Sequence, residues 1–185
     1  TTALRSPGST LKPLVYALAF DEGLVHPQTM IDDRPMRFGS YAPQNFDGAY
    51  RGPVTVDAAL RFSLNIPVVA LTAELGPARL MAGLMRAGAA PVLPGSAPPG
   101  LAVALGGVGI TPRDLTALYA GLARGGEAVA LRERAGEVVT GGRIVSPEAA
   151  SRTYSLSLFL RVLMPTARMR WKQLPKATNV KRGPN

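Results

Sequence analysis

The sequence contains no cysteine and one histidine, His26. Without thiols there is no disulfide framework and no thiolate metal site. His26 precedes Pro27 in a polar loop, and no second histidine or cysteine exists to complete a metal site with it, so it reads as a loop residue. No run of 18 apolar residues occurs, so no stretch reads as a membrane-spanning helix. No signal-peptide pattern opens the chain at Thr1. The sequence starts in mid-motif, as expected of a piece of a longer protein. Two further absences are local. Lys12 is the only lysine in residues 1–150, and no acid occurs in residues 151–185.

What is present suits one domain with a real core: 185 residues, 46% hydrophobic, with 20 Gly and 17 Pro marking many turns. The net charge of +9 hides a split. Residues 1–150 hold 13 basic and 12 acidic side chains, whereas residues 151–185 hold 8 basic ones, three of the four lysines, the only tryptophan (Trp171) and one of the 20 glycines. A break this sharp predicts a boundary near residue 150. A basic tail can contact nucleic acid or an anionic membrane. It can also consist of residues never selected as part of this fold.

Turn and cap residues predict the elements. Pro7-Gly8 breaks the chain before Ser9, and the apolar run Leu14–Phe20 predicts a helix from about Ser9 to Asp21, stopped at Gly23. Asp32 and Asp33 read as a solvated turn, with a structural hydrogen-bonding role as the lesser alternative. Thr55 is placed to cap a helix carrying Val56, Ala59, Leu60 and Phe62 on one side. Pro67 and Pro77 suit the first position of two further helices, closed by Gly76 and Gly88. Thr111-Pro112-Arg113-Asp114 has a cap, a proline at N1 and an acid at N3, starting a helix that Gly125-Gly126 stops. A β-hairpin is expected across residues 128–132 and 138–145, and Ser146-Pro147-Glu148 starts another helix. The glycines of Leu105-Gly106-Gly107-Val108-Gly109 fit neither G-x-G-x-x-G nor a P-loop, which argues against phosphate binding there.

Ser9 and Lys12 stand three residues apart, so on a helix they share a face. A serine hydroxyl becomes a good nucleophile when a base takes its proton. A neutral lysine can be that base, and burial lowers a lysine pKa. The positive end of a helix dipole also favours an alkoxide at Ser9. The plainer reading of the same four letters is Ser9 as an N-cap and Lys12 as a solvated cation.

Arg5-Ser6-Pro7-Gly8-Ser9-Thr10-Leu11-Lys12-Pro13 resembles the nucleophile motif of penicillin-binding transpeptidases, which use S-x-x-K, S-x-N and K-T-G sets. Ser63-Leu64-Asn65 fills the second set. Tyr41-Ala42-Pro43-Gln44-Asn45-Phe46 and Tyr50-Arg51-Gly52 resemble the loop before S-x-N in bifunctional class A members. Leu105-Gly106-Gly107, Thr111-Pro112, Leu115–Ala120 and Ser146–Ala150 are similar to later parts of the same domain, in order. Within the class the sequence is most similar to the penicillin-binding protein 1C branch.

The resemblance implies an α+β fold with helix, antiparallel-sheet and helix layers, incomplete in this chain. It implies Ser9 as the nucleophile, Lys12 as the acylation base, Ser63 as a proton relay to the leaving group, and Asn65 as a hydrogen-bond partner of the substrate amide and Lys12. The implied partners are the D-Ala-D-Ala end of a peptidoglycan stem peptide and β-lactams. No cofactor, metal or nucleic acid is implied, and membrane contact comes only through an N-terminal anchor outside this chain. A glycosyltransferase domain on the full-length protein and a place on the periplasmic face of the inner membrane belong to the same implication.

The sequence departs from the pattern in one respect. None of the lysines, Lys12, Lys172, Lys176 and Lys181, begins a K-T-G. That motif would supply a cation for the substrate carboxylate and one wall of the cleft. The expectation is a partial transpeptidase domain over residues 1–150, followed by a frameshifted or otherwise replaced end over 151–185. A true basic extension is the competing view. Three further functions compete with an active transpeptidase: an inactive remnant, a basic-tailed interaction module, and a carboxypeptidase or β-lactamase-like hydrolase. The Tyr41–Gly52 loop argues against the last.

Overall fold

The computed structural model describes residues 3–96, 98–129 and 142–156. A 3-10 turn (Gly8–Leu11) leads into α1 (Lys12–Asp21). Strands β1 (Met30–Asp33) and β2 (Gly52–Thr55) follow, then helices α2 (Val56–Arg61), α3 (Asn65–Leu75) and α4 (Pro77–Arg86). A second 3-10 turn (Leu101–Leu105) precedes α5 (Pro112–Ala123) and α6 (Pro147–Leu156).

Helix α1 is the centre of the molecule. Its residues from Lys12 to Phe20 are all buried. Leu14–Phe20 offers no polar face, and a helix that is apolar all round must be enclosed on every side. It is enclosed by α3, α4 and α6. Fully burying each Leu or Val of this run contributes roughly 1.5–3 kcal/mol. Gly83 lets α4 approach closely: a Cβ there would lie 3.1 Å from Leu18 Cδ1. Helices α3 and α4 meet at 89°, with Gly76 between them at φ +83°. Among the described residues no single helix is long and apolar enough to cross a membrane.

The expected caps are in place. Thr55 accepts from Ala58 N, Thr111 and Asp114 form a reciprocal capping box, and Ser146 accepts from Ala149 N. Helix α3 begins at Asn65, earlier than Pro67 would suggest as a first residue. Pro67 is tolerated at the third position because the first N–H groups of a helix have no intrahelical acceptor. Phe62 does not join the buried face of α2. It lies past the end of that helix, exposed, with the Arg51 guanidinium 5.6 Å from its ring centre.

Strands β1 and β2 pair antiparallel, with Ile31 opposite Val54 and Asp33 opposite Gly52. Successive strand residues face opposite ways, which separates two adjacent acids. Asp32 faces solvent beside Arg34, while Asp33 is fully buried. The solvated-turn reading therefore fails for Asp33, and its structural alternative holds. The expected hairpin over 128–145 lies largely outside the described residues. At its margin Glu127 and Arg143 form an antiparallel bridge. Helix α6 runs without a break across the composition change at residue 150.

Candidate active site

The turn that bears Ser9 is held by backbone. Gly8 adopts φ +54°, and the 3-10 turn it opens places Ser9 in a first turn, exposed. Arg5 and Ile110 exchange backbone hydrogen bonds of 2.9 and 3.0 Å just before it. Ser6 Oγ donates to Gly106 O (2.6 Å), and Tyr119 Oη donates to Thr10 O (2.7 Å). Gly106, at φ +91°, packs directly under Gly8: a Cβ on it would meet Gly8 N at 2.2 Å. Gly106 thus has a role that its sequence did not show, as the floor of the turn that bears Ser9.

The second turn joins α2 to α3 and is built on Ser63. Among the described residues Ser63 is the only non-glycine with positive φ, at +53°. A left-handed serine costs about 1–2 kcal/mol. Such strain persists where surrounding contacts over-determine the conformation. Here the conformation turns both the carbonyl oxygen and the hydroxyl of Ser63 toward one point.

That point is Lys12 Nζ. It donates to Ser63 O (2.5 Å) and Asn65 Oδ1 (2.6 Å), and lies 3.0 Å from Ser63 Oγ. Lys12 is 1% exposed. Burial alone pushes its pKa down to about 8. No carboxylate pairs with it among the described residues. The solvated-cation reading of Lys12 therefore does not hold. Two of its three partners are pure acceptors and occupy two N–H groups. The third, a hydroxyl, can accept from an ammonium or donate to the lone pair of a neutral amine, so the cluster accommodates both protonation states.

Behind this cluster lies a buried polar chain. Asn45 Nδ2 donates to both Asp33 carboxylate oxygens (2.8 and 2.9 Å) and to Ala49 O (2.8 Å). Arg51 N also donates to Asp33 Oδ2 (2.9 Å). Asn45 Oδ1 accepts from Asn65 N (2.7 Å), and Asn65 Nδ2 donates to Gln44 O (2.6 Å). Nearby, the fully buried Tyr16 hydroxyl has no hydrogen-bond partner among the described residues. Burial and the neighbouring Asp33 charge push its pKa up.

The structure thus gathers Lys12, Ser63 and Asn65 into one hydrogen-bonded cluster. Ser9 stands one turn before Lys12 on the same segment, its hydroxyl without a hydrogen bond among the described residues. Lys12 is buried and bonded to Ser63 and Asn65, whereas Ser9 is exposed. Asp33 and Asn45 were not singled out as site residues from sequence. Among the described residues no three His, Asp or Glu side chains converge as a metal site.

The sequence model of the penicillin binding protein transpeptidase domain matches residues 1–155. Penicillin-binding protein 1C of Escherichia coli is 46% identical over 130 residues, covering 70% of this chain and 17% of that protein. Penicillin-binding protein 1F of Bacillus subtilis is 37% identical over 121 residues, covering 64% of this chain and 16% of that protein. The chain therefore spans about a sixth of the length of these relatives. The PonA1 protein of Mycobacterium tuberculosis, solved in complex with penicillin V, superposes with a TM-score of 0.70 at 22% identity. That match covers 84% of this chain and 47% of PonA1, and shows a shared fold. With its S-x-x-K lysine buried against its S-x-N turn, this chain belongs to the penicillin-binding protein transpeptidase family.

Proposed function

We propose that the chain carries the nucleophile half of a serine D,D-transpeptidase that cross-links peptidoglycan stem peptides. The observation that carries this reading is the buried, carboxylate-free Lys12, its pKa lowered to about 8 and its amine bonded to Ser63 and Asn65. A structural lysine of this kind would be expected to have a counter-ion, whereas a general base needs a neutral form near working pH.

In the proposed reaction Ser9 Oγ attacks the penultimate D-Ala carbonyl and Lys12 takes its proton. The developing oxyanion faces the Ser9 backbone N–H in the first turn, where that donor lacks an intrahelical acceptor. The C–N bond breaks, Ser63 passes the proton from Lys12 to the leaving D-Ala amine, and Ser9 holds the acyl group as an ester. An acceptor amine attacks the ester carbonyl, the acyl bond to Ser9 Oγ breaks as the cross-linking amide forms, and the amine's proton passes to Ser9 Oγ. β-Lactams, such as the penicillin V held by PonA1, would acylate Ser9 through the same first step. The proposed setting is the periplasmic face of the inner membrane.

The absence of K-T-G favours a second reading, an inactive remnant of the same ancestry. Fluorescent penicillin separates the two. Covalent labelling of folded protein that disappears in Ser9→Ala supports the enzyme, and no labelling of folded protein removes it. Residues 151–185 are read as lying beyond the inherited domain, apart from the last turns of α6. A basic-tailed module would instead bind DNA or anionic vesicles in a salt-sensitive way that is lost when 151–185 are deleted. Coding DNA in which no one- or two-base shift restores a downstream K-T-G would sink the frameshift account of the tail.

A further inference from the structure

We infer that Asp33 and Asn45 are positioning residues for this site: Asn45, clamped by the buried Asp33 carboxylate, fixes the first residue of α3 and so holds the Lys12 partners in place. The inference rests on the reading of Lys12 as a base.

Neither Asp33 nor Asn45 hydrogen-bonds Lys12, so both act through Asn65. The orientation of the Asn45 amide is unambiguous. Its nitrogen faces only acceptors, two carboxylate oxygens and Ala49 O, and its oxygen faces the Asn65 N–H. Both N–H groups of that amide and its carbonyl oxygen are engaged inside the protein. The adjacent Gln44 carbonyl accepts from Asn65 Nδ2. Consecutive loop residues thus grip Asn65 at its backbone and at its side chain, leaving Oδ1 free to meet Lys12 at 2.6 Å. Ser63, two residues earlier, reaches the same amine through a strained backbone that needs a fixed neighbour.

Asp33 anchors the chain from β1, 0% exposed, and also takes the Arg51 N–H. A buried network of this kind is stable only when every member is satisfied, so loss of one member propagates. Lys12 is lowered by burial alone, and the Asp33 charge of β1 acts on Tyr16 of α1. Loosening Asn65 would therefore change Lys12 chiefly by admitting water.

The test uses the 185-residue chain with Asn45→Asp, Asp33→Asn and the double variant Asp33→Asn/Asn45→Asp. Asn45→Asp sets two carboxylates against each other, and Asp33→Asn sets two amide nitrogens against each other. The double variant restores a donor–acceptor match between positions 33 and 45: the new amide donates to the new carboxylate, which still accepts from Asn65 N, and only the bond to Ala49 O is lost. Two readouts are taken, the acylation rate constant of fluorescent penicillin on the folded fraction and the 13C NMR titration of the Lys12 side chain.

Each single variant is expected to lower the acylation rate constant about 10- to 100-fold, as a misplaced catalytic group does, with non-covalent penicillin affinity held within about threefold. The Lys12 titration is expected to move up toward an ordinary lysine. The double variant is expected to recover most of both. The inference is overturned if the variants reduce only the folded fraction while the rate constant and the Lys12 titration stay at wild-type values. If the single variants do not fold, the double variant decides: wild-type values support the exchange, and slow acylation or a raised Lys12 titration overturns it. If wild-type protein takes no penicillin, the transpeptidase reading fails, and the Lys12 titration alone decides the positioning role in the same sense.

Discussion

Two turns meet at Lys12, and they are held by different physics. The turn that bears Ser9 is fixed by close backbone approach: Gly106 under Gly8, the Arg5–Ile110 bridge, and side-chain hydroxyls tied to carbonyls. The turn that bears Ser63 and Asn65 is fixed by a buried chain of polar side chains running back to Asp33. The first is sensitive to volume, the second to hydrogen-bond chemistry. Ser9 stays exposed, so its turn is locked through the backbone, whereas Lys12 is buried and its neighbours have to satisfy it.

The difference can be broken from either side. The largest effect is expected for Gly106→Ala, whose methyl would lie 2.2 Å from Gly8 N at φ +91°. It should destabilise the chain by about 3 kcal/mol or more in urea titration, because backbone on both sides has to move. Gly8→Ala is the steric control. It has positive φ but nothing within 4 Å, so it should cost only about 1 kcal/mol. On the polar side, Asp33→Ala strands one Asn45 N–H and the Arg51 N–H and should cost roughly 2–3 kcal/mol by the same measurement.

Ser63→Gly sharpens the comparison. It relieves about 1 kcal/mol of left-handed strain and forfeits a hydrogen bond of similar worth, so the melting temperature should barely move. Release of the leaving group should nonetheless slow, seen as a lower acylation rate in stopped-flow. Tyr16→Phe is expected to have a small effect of the opposite sign. Removing a buried hydroxyl that has no partner among the described residues should raise stability by up to about 1 kcal/mol.

Much of this was legible in the sequence, where the signal is local. The Thr111-Pro112-Asp114 start, the Thr55 cap, Pro77 at N1 and the stops at Gly23 and Gly88 all act within a few residues of themselves. Lys12, Ser63 and Asn65 were named from motifs, and the structure brings those three together. Ser9 was named too, and its exposed turn follows from Pro7-Gly8.

What escaped depends on distant partners. Asp32 and Asp33 are identical letters in adjacent positions, and only the pairing of β1 with β2 sends one to solvent and the other to Asn45. Gly106 looks like any loop glycine until Gly8, 98 positions away, is placed against it. Phe62 carries the right residue type for a core face. It falls one residue past the end of α2, where the chain turns to set up Ser63.

In the proposed reaction Lys12 is a desolvated base serving Ser9. Its pKa is lowered to about 8 in the folded protein, from 10.5 for an ordinary lysine. The neutral amine is the active form, so the rate should be lost as pH falls through that value. The most direct measurement is the rate constant for penicillin acylation of Ser9 between pH 5 and 10. The account predicts a plateau above about pH 8.5 and a tenfold fall per pH unit below about 7.5, with no labelling of Ser9→Ala at any pH. A rate that keeps climbing to pH 10, as an ordinary lysine would give, or folded protein that takes no penicillin, would contradict it.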